Sequence, residues 1–260
     1  MSPQEAFARA AREGGRAALV TAVALKSGGG DVRVGARVLV SAEGDVVGSL
    51  GDPELDRVAT GHAEDLMWAE RSEAFDEHGV TLFVDVVHPP PRLIVFGAVD
   101  FAAELCRMAR AAGWHPYLVD PRSRFATPER FPDAEEVIVG WPGEAFVRLG
   151  GIDRATYIAV LTHDPKLDDA ALTIALESDA PYVGAMGSRR AQAHRRERLL
   201  AGGVPEEALD RISAPIGLDL GGLTAEETAL SIMAEVVAVR NGREGGRLTH
   251  AAGRIHEVGA

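Results

Sequence analysis

From Arg92 onward the chain repeats one unit: a short apolar run, a turn, then a segment whose apolar residues fall at helical spacing. The apolar runs are Arg92 to Phe96, Tyr117 to Val119, Val137 to Val139, Tyr157 to Leu161 and Tyr182 to Gly184. Helical segments fill the gaps at Asp100 to Ala112, Leu167 to Ser178 and Ser188 to Leu200. A strand without polar alternation is buried on both faces, and a parallel sheet covered by helices above and below provides that burial. Such a sheet takes its ligands beyond the carboxyl ends of its strands. The pattern therefore predicts both an architecture and the edge on which to look for function.

Upstream, His88-Pro89-Pro90-Pro91 marks a boundary, since three prolines continue neither a helix nor a central strand and favour a stiff extended connector. Before it, Ser2 and Pro3 open a helix to about Glu13, and Arg16 to Leu25 reads as a strand. Gly28-Gly29-Gly30 makes a loop of Lys26 to Asp31. Arg37 to Ser41 and Asp45 to Gly48 flank Ala42-Glu43-Gly44 as a hairpin. Asp52-Pro53 starts a helix predicted to reach Phe75, and Thr81 to Val87 is another strand. Near the end, Thr224 and Glu227 form a capping box before the apolar run Ala229 to Val239, and a glycine-rich tail follows Arg240. The fold class is α/β: a small N-terminal α/β domain over 1–88, a Rossmann-like parallel-sheet domain over 92–240 and a tail over 241–260.

Composition narrows the function classes. Of the 260 residues 46% are hydrophobic, enough for a packed core. The net charge is −12, and phosphate-tracking nucleic-acid surfaces need clustered Lys and Arg. The one dense basic run, Arg189, Arg190, Arg195, Arg196 and Arg198, reads as the exposed side of a helix, so no nucleic-acid partner is expected. Cys106 is the single cysteine, so no intrachain disulfide exists. No basic-then-apolar leader opens the chain, and no apolar run approaches the roughly 20 residues a bilayer requires. The expectation is a cytoplasmic protein without membrane contact.

Four segments fall at the expected ligand edge. Gly97-Ala98-Val99-Asp100-Phe101-Ala102 occupies the place of a dinucleotide phosphate loop, and Asp120 ends the next strand where an acid would meet a ribose hydroxyl. Val99 stands where the second glycine lets the backbone approach a pyrophosphate. Intact NAD(P) binding and a Rossmann domain that has lost it both remain open. The second segment, Leu161 to Asp169, gathers Thr162, His163, Asp164, Lys166, Asp168 and Asp169. His163 is either an acid, base or metal ligand or a bystander, and helix capping accounts for Asp168 and Asp169. The third, Tyr182 to Arg190, combines Gly184, Gly187 and Ser188 at a helix start with Arg189 and Arg190, an arrangement suited to an oxyanion or phosphate, the alternative being glycines that serve a tight turn beside solvated arginines. The fourth, Pro215 to Gly222, carries Asp219 as a buried-looking acid in a loop that folds back toward the sheet edge.

Taken together, these segments, with Val119-Asp120-Pro121-Arg122, Phe125-Ala126 and Arg130-Phe131-Pro132, resemble the XdhC/CoxI family over residues 92 to 240. Val20-Thr21-Ala22-Val23 and Gly35 to Val40 resemble its small N-terminal domain. The resemblance implies an accessory protein for molybdenum hydroxylases such as xanthine dehydrogenase and carbon monoxide dehydrogenase. Such a protein binds the molybdenum cofactor (molybdopterin), protects it during sulfuration and delivers it to the apo-enzyme, as a chaperone and not an enzyme. The implied partners are the apo-hydroxylase and a cysteine desulfurase. A homodimer is expected because the N-terminal domain looks too small to bury its own sheet. The carried-over site adds Arg122 and puts the cofactor phosphate near Gly184 to Arg189, with His163 and Asp164 toward the pterin or metal end. Three departures stand out: Val99 and Asp100 replace a glycine and a histidine, Glu54 stands where a cysteine falls, and Lys26 to Asp31 replaces a G-S-x-P-R loop. No metal ligand is assigned. Two other functions stay in view: an NAD(P)-dependent oxidoreductase using Asp120 and the Gly97 loop, and a scaffold that binds its partner enzyme but no small molecule.

Overall fold

The computed structural model describes residues 1–26 and 31–250. The glycine loop expected within Lys26 to Asp31 and the last ten residues of the tail lie largely or wholly outside them. The chain forms two compact units, Met1–Pro89 and Pro90–Ala252.

In the first unit the elements are α1 (Pro3–Glu13), β1 (Ala17–Leu25), β2 (Arg37–Ser41), β3 (Val46–Ser49), α2 (Pro53–Trp68), β4 (Glu73–Glu77) and β5 (Val80–Val87). The strands pair antiparallel in the order β3-β2-β1-β5-β4. Alternation along β1 divides its side chains between two layers. Ala18, Val20 and Ala22 meet Leu55, Ala59 and Ala63 of α2, whereas Ala17 and Leu19 meet Ala6 of α1. The helix expected to run to Phe75 stops at Trp68. Glu70 takes a left-handed φ of 54°, and the buried Arg16 guanidinium donates to Met67 O at 2.9 Å and to Glu70 Oε1 at 2.7 Å. The following Glu-Ala-Phe-Asp-Glu stretch has modest helical character, yet pairing with β5 makes it the edge strand β4.

The second unit contains β6 (Arg92–Phe96), α3 (Asp100–Ala111), β7 (His115–Val119), β8 (Glu136–Ile138), α4 (Pro142–Arg148), β9 (Thr156–Val160) and α5 (Pro165–Leu176). It continues with β10 (Tyr182–Ala185), α6 (Arg189–Ala201), α7 (Glu206–Leu209), β11 (Ile212–Ser213) and α8 (Ala225–Arg240). All six strands are parallel, in the order β11-β10-β9-β6-β7-β8. Leu93 to Phe96 and Ile158 to Val160 have no exposure, so the two central strands are apolar on both sides. Residues of α3 and α8 cover one face, and residues of α4, α5 and α6 cover the other. Chain order reverses between β6 and β9, and ligands of such sheets sit at that reversal. The strand order is that of a Rossmann fold. Three elements, α4, α7 and β11, have no counterpart in the sequence reading; at seven, four and two residues they are too short to display a period. The capping box at Thr224 forms as expected, and beyond Arg240 the described tail holds only the 3₁₀ turn Leu248–His250. No helix among the described residues is long and apolar enough to cross a membrane.

Candidate functional site

At the end of β6, Gly97 has φ 112°, and a Cβ there would lie 3.0 Å from Thr162 Cγ2 and 3.1 Å from Thr162 N. Glycine therefore lets the β6 loop rest against the β9 loop, the two loops that flank the reversal. Asp120, at the end of β7, is completely buried. Its Oδ1 accepts from Arg122 N and Nε, both at 2.9 Å, and its Oδ2 accepts from Ala98 N at 2.8 Å and Arg122 Nη2 at 2.7 Å. A carboxylate offers about four acceptor positions, and here all four are filled. Burial alone pushes the Asp120 pKa up, but the Arg122 guanidinium and the Ala98 and Arg122 amides outweigh it and hold the carboxyl below its usual range. In this structure the four acceptor positions of Asp120 serve its own loops, so the group is a bolt between the β6 and β7 loops and engages the Ala98 amide.

A second bolt lies behind the β9 loop. Thr162, also buried, receives Asp164 N at 2.9 Å and donates to Asp168 Oδ1 at 2.7 Å. Asp168 Oδ2 in turn accepts from Arg195 Nη2 at 2.7 Å, and Arg195 also donates to Met186 O at 3.0 Å. Arg195 is only 4% exposed, so the basic run is not uniformly a solvated face. Its other members divide: Arg196 pairs with Glu206 and Asp210, Arg198 pairs with Asp169, and Arg189 and Arg190 have no ion pair among the described residues. Asp164 caps α5, its Oδ1 accepting from Lys166 N at 2.9 Å; Asp168 lies in the first turn of that helix as expected, and Asp169 pairs with Arg198. Thr162 uses its hydroxyl proton and one lone pair to fix the loop's own structure.

The β10 end behaves similarly. Gly184 is buried in the sheet, and a Cβ there would stand 2.5 Å from Ile216 Cδ1 and 2.6 Å from the Tyr182 hydroxyl. It makes room for the returning segment and does not face a ligand, which corrects the direct contact expected of it. That segment is held by Ile216 N to Ala185 O at 3.2 Å, Leu218 N to Ser231 O at 3.2 Å and Gly217 N to Glu235 Oε2 at 2.8 Å. Glu235 also accepts the Tyr182 hydroxyl. The loop thus folds back as expected, but Asp219 at its tip is exposed, not buried. Gly187 has φ 136° and its carbonyl accepts from Gln192 Nε2 at 3.2 Å. Ser188 caps α6, accepting from Ala191 N at 3.3 Å. The remaining first-turn amides, Arg189 N and Arg190 N, have no intrahelical partner, as at any helix start.

What remains open is a rim of a different character. His163, Lys166, Arg189 and Arg190 are exposed and make no ion pair or side-chain hydrogen bond among the described residues. Arg124 on the β7 loop is likewise exposed and makes no ion pair among the described residues. Arg122, half-exposed, feels the Asp164 charge, so the β7 and β9 loops share one electrostatic neighbourhood. Arg124, Lys166, Arg189 and Arg190 thus stand at this edge of an acidic chain together with the exposed Asp164 and Asp219, and the α6 start adds its positive end. A nearby hollow of about 200 Å³, lined by Gln192, Arg196, Leu209 and Ile212, is smaller than the roughly 300 Å³ at which ligand pockets begin. A larger ligand at this edge of the sheet would lie along the open rim, not inside that hollow. No group of three or more His, Cys, Asp or Glu is placed to hold a metal among the described residues.

Comparison with known proteins decides the lineage. The XdhC Rossmann domain profile matches residues 93–236, more than half of the chain, and the XdhC and CoxI family profile matches residues 10–76. The chain belongs to the XdhC/CoxI family. YqeB of Escherichia coli K12, an uncharacterized protein, is 26% identical over 237 residues, covering 85% of this chain and 43% of YqeB. A probable xanthine dehydrogenase subunit from Bacillus subtilis 168 is 29% identical over 159 residues, covering 61% of this chain and 46% of its own. The molybdenum cofactor insertion chaperone PaoD of E. coli K12 is 28% identical over 152 residues, covering 58% and 41%. The chain spans less than half the length of these relatives. The crystal structure of a Bacillus halodurans xanthine dehydrogenase superposes with TM-score 0.53 at 20% identity, covering 96% of this chain and 98% of that one, a likeness of fold.

Within the XdhC/CoxI family this chain keeps its departures. Glu54 is an exposed first-turn carboxylate of α2, bound to Arg57 at 3.1 and 2.5 Å. Cys106 is buried in the core of the second unit, and burial pushes its thiol up to about 12, so it offers no thiolate in Glu54's stead. The sequence reading missed the Asp168–Arg195 bridge because helical spacing alone gives no partner across 27 positions. It also left Arg124, Phe125 and Arg130 unassigned at the rim, although the last two lay within the family segments.

Proposed function

We propose that this chain carries the molybdenum cofactor on the carboxyl rim of its parallel sheet and delivers it to an apo-hydroxylase of the xanthine dehydrogenase or carbon monoxide dehydrogenase type. One contrast carries the reading. Asp120, Thr162 and Asp168 hold the loops in place, whereas His163 on the β9 loop, Lys166 in the first turn of α5 and Arg189 and Arg190 at the start of α6 make no ion pair or side-chain hydrogen bond among the described residues. Preorganised donors held on a rigid frame suit an anionic cargo that must also leave. The cofactor phosphate meets the α6 start and the guanidiniums of Arg189 and Arg190. His163, beside Asp164, faces the pterin or its metal. Gly97, Gly184 and Gly187 act by letting the loops approach, and Ser188 by fixing the α6 start. Asp219 and Arg122 border the same cargo. The names of PaoD and of the B. subtilis relative support a place in hydroxylase maturation.

The further parts of this reading are an encounter with a cysteine desulfurase, a cytoplasmic setting and a homodimer. Exposed Val23 and Phe83 on the first unit's sheet support the homodimer, and sedimentation at several concentrations checks it. Titration of isolated cofactor into the protein tests the central statement. Arg189→Ala should weaken binding by about tenfold or more, the worth of a hydrogen bond to a charged group. Binding unchanged in an Arg189→Ala, Arg190→Ala protein contradicts it. NADH should not bind in the micromolar range, because Asp120 and Ala98 N are already joined.

A further inference from the structure

The first unit contains a hollow that cofactor carriage on the second leaves unused. It lies between α1 and the β2–β3 hairpin and measures about 440 Å³, within the roughly 300 to 1,000 Å³ of small-molecule sites. The sequence makes this space. Ala6 and Ala10, four positions apart, share the face of α1 that meets the sheet, and β1 offers Ala17 to the same cluster. Three side chains that end at Cβ leave the seam with Leu39 and Val47 unfilled. The lining is therefore largely apolar, and it includes Val46, which is 56% exposed. Charge around it is unbalanced. Glu13, Glu43 and Asp45 stand against Arg9 and Arg16. Arg16 is committed to Met67 O and Glu70, and Arg9 lies 3.9 Å from Glu13. The Met1 ammonium, at the same hollow, acts on Glu5. Glu43 and Asp45, both exposed in the hairpin turn, make no ion pair among the described residues.

We infer that this hollow binds a small organic cation, with its apolar body against Ala6, Ala10, Leu39 and Val47 and its ammonium facing Glu43 and Asp45. The two parts of the site make separate demands on a ligand. Burial of an apolar body favours any ligand of the right size, whatever its charge. The two carboxylates then favour a cation and repel an anion built on the same body. Both stand in a solvated turn, so their preference is modest and weakens with salt. The cargo read for the parallel sheet is anionic, whereas this site selects the opposite charge. It therefore holds or fails independently of cofactor carriage.

Calorimetric titration of phenethylamine, phenethyl alcohol and hydrocinnamate into the full chain at neutral pH tests the site. The three share one apolar body and differ in the charge of the head. Wild-type protein should bind the amine most tightly, the alcohol less and the acid least. A Glu43→Gln, Asp45→Asn protein should bind the amine about twofold to tenfold more weakly, the worth of one or two exposed ion pairs, and the alcohol unchanged. Ala10→Leu keeps a good helix former and fills the hollow, so it should abolish binding of both amine and alcohol. Added salt should weaken the amine and spare the alcohol. Absence of amine binding, equal affinity for all three, or a preference for hydrocinnamate overturns the inference. Amine affinity unaltered in either variant also overturns it. Should Ala10→Leu not fold, the wild-type series and the double variant, whose two residues are exposed, decide.

Discussion

Asp168 and Arg195 bury opposite charges 2.7 Å apart, and each keeps a second polar partner, Thr162 for the acid and Met186 O for the guanidinium. A buried pair of this kind says little about net stability while intact, but removing one member strands the other. Asp168→Ala should cost about 3 to 5 kcal/mol and lower Tm by roughly 6 to 20 °C in thermal unfolding. A change within 2 °C, about the effect of an ordinary surface substitution, contradicts the assignment. Asp120 gives a pH signature. Its folded carboxyl lies below its usual range, so its stabilising contribution is complete above the unfolded value near 4 and is lost as pH falls through the lower folded value. The Tm difference between wild type and Asp120→Asn should therefore shrink on acidification from about pH 5 toward 2. A difference that stays constant across that range contradicts it. Cys106 should resist thiol reagents at pH 8 until the chain unfolds, since burial keeps it protonated.

At the level of elements, the glycines of the rim have separate reasons to be small. Gly184→Ala would push a methyl into Ile216 within the sheet and displace the returning segment at a cost of about 1 to 3 kcal/mol. Protection of the Gly217 and Leu218 amides in hydrogen exchange should fall with it, and unchanged protection counts against the packing described. The strand-turn-helix pattern around Gly97 and Ser188 was legible in sequence because apolar runs and caps are local signals. The partners of Asp120 and Asp168 were not, because a carboxylate at a strand end reads alike whether it meets a ribose, a helix start or an arginine from another element. β4 was hidden for a related reason: a Glu-rich stretch after a helix looks like more helix until β5 offers it a ladder. The Arg189 to Arg198 run misled in part because helical spacing places Arg195 on the inner side of α6 only once α5 is beside it.

For the whole molecule, the second unit has its own two-faced core, with α3 and α8 on one side of the sheet and α4, α5 and α6 on the other. Residues 90–252 expressed alone should unfold cooperatively, with coincident far- and near-ultraviolet circular dichroism transitions. The chain carries −12 overall, so an anionic cargo is held by a local concentration of cations against an unfavourable background, and its affinity should fall with ionic strength. The contrast along the rim between Asp120 and Asp168, saturated within the loops, and Arg189, Arg190 and Lys166, without an ion pair among the described residues, makes cofactor carriage the central claim. Protein purified from cells with an active cofactor pathway can be denatured and oxidised, and its pterin fluorescence measured per chain. The account predicts a pterin signal in the wild type that is lost in the Arg189→Ala, Arg190→Ala protein. A wild type repeatedly free of pterin, or a double variant that carries just as much, contradicts it.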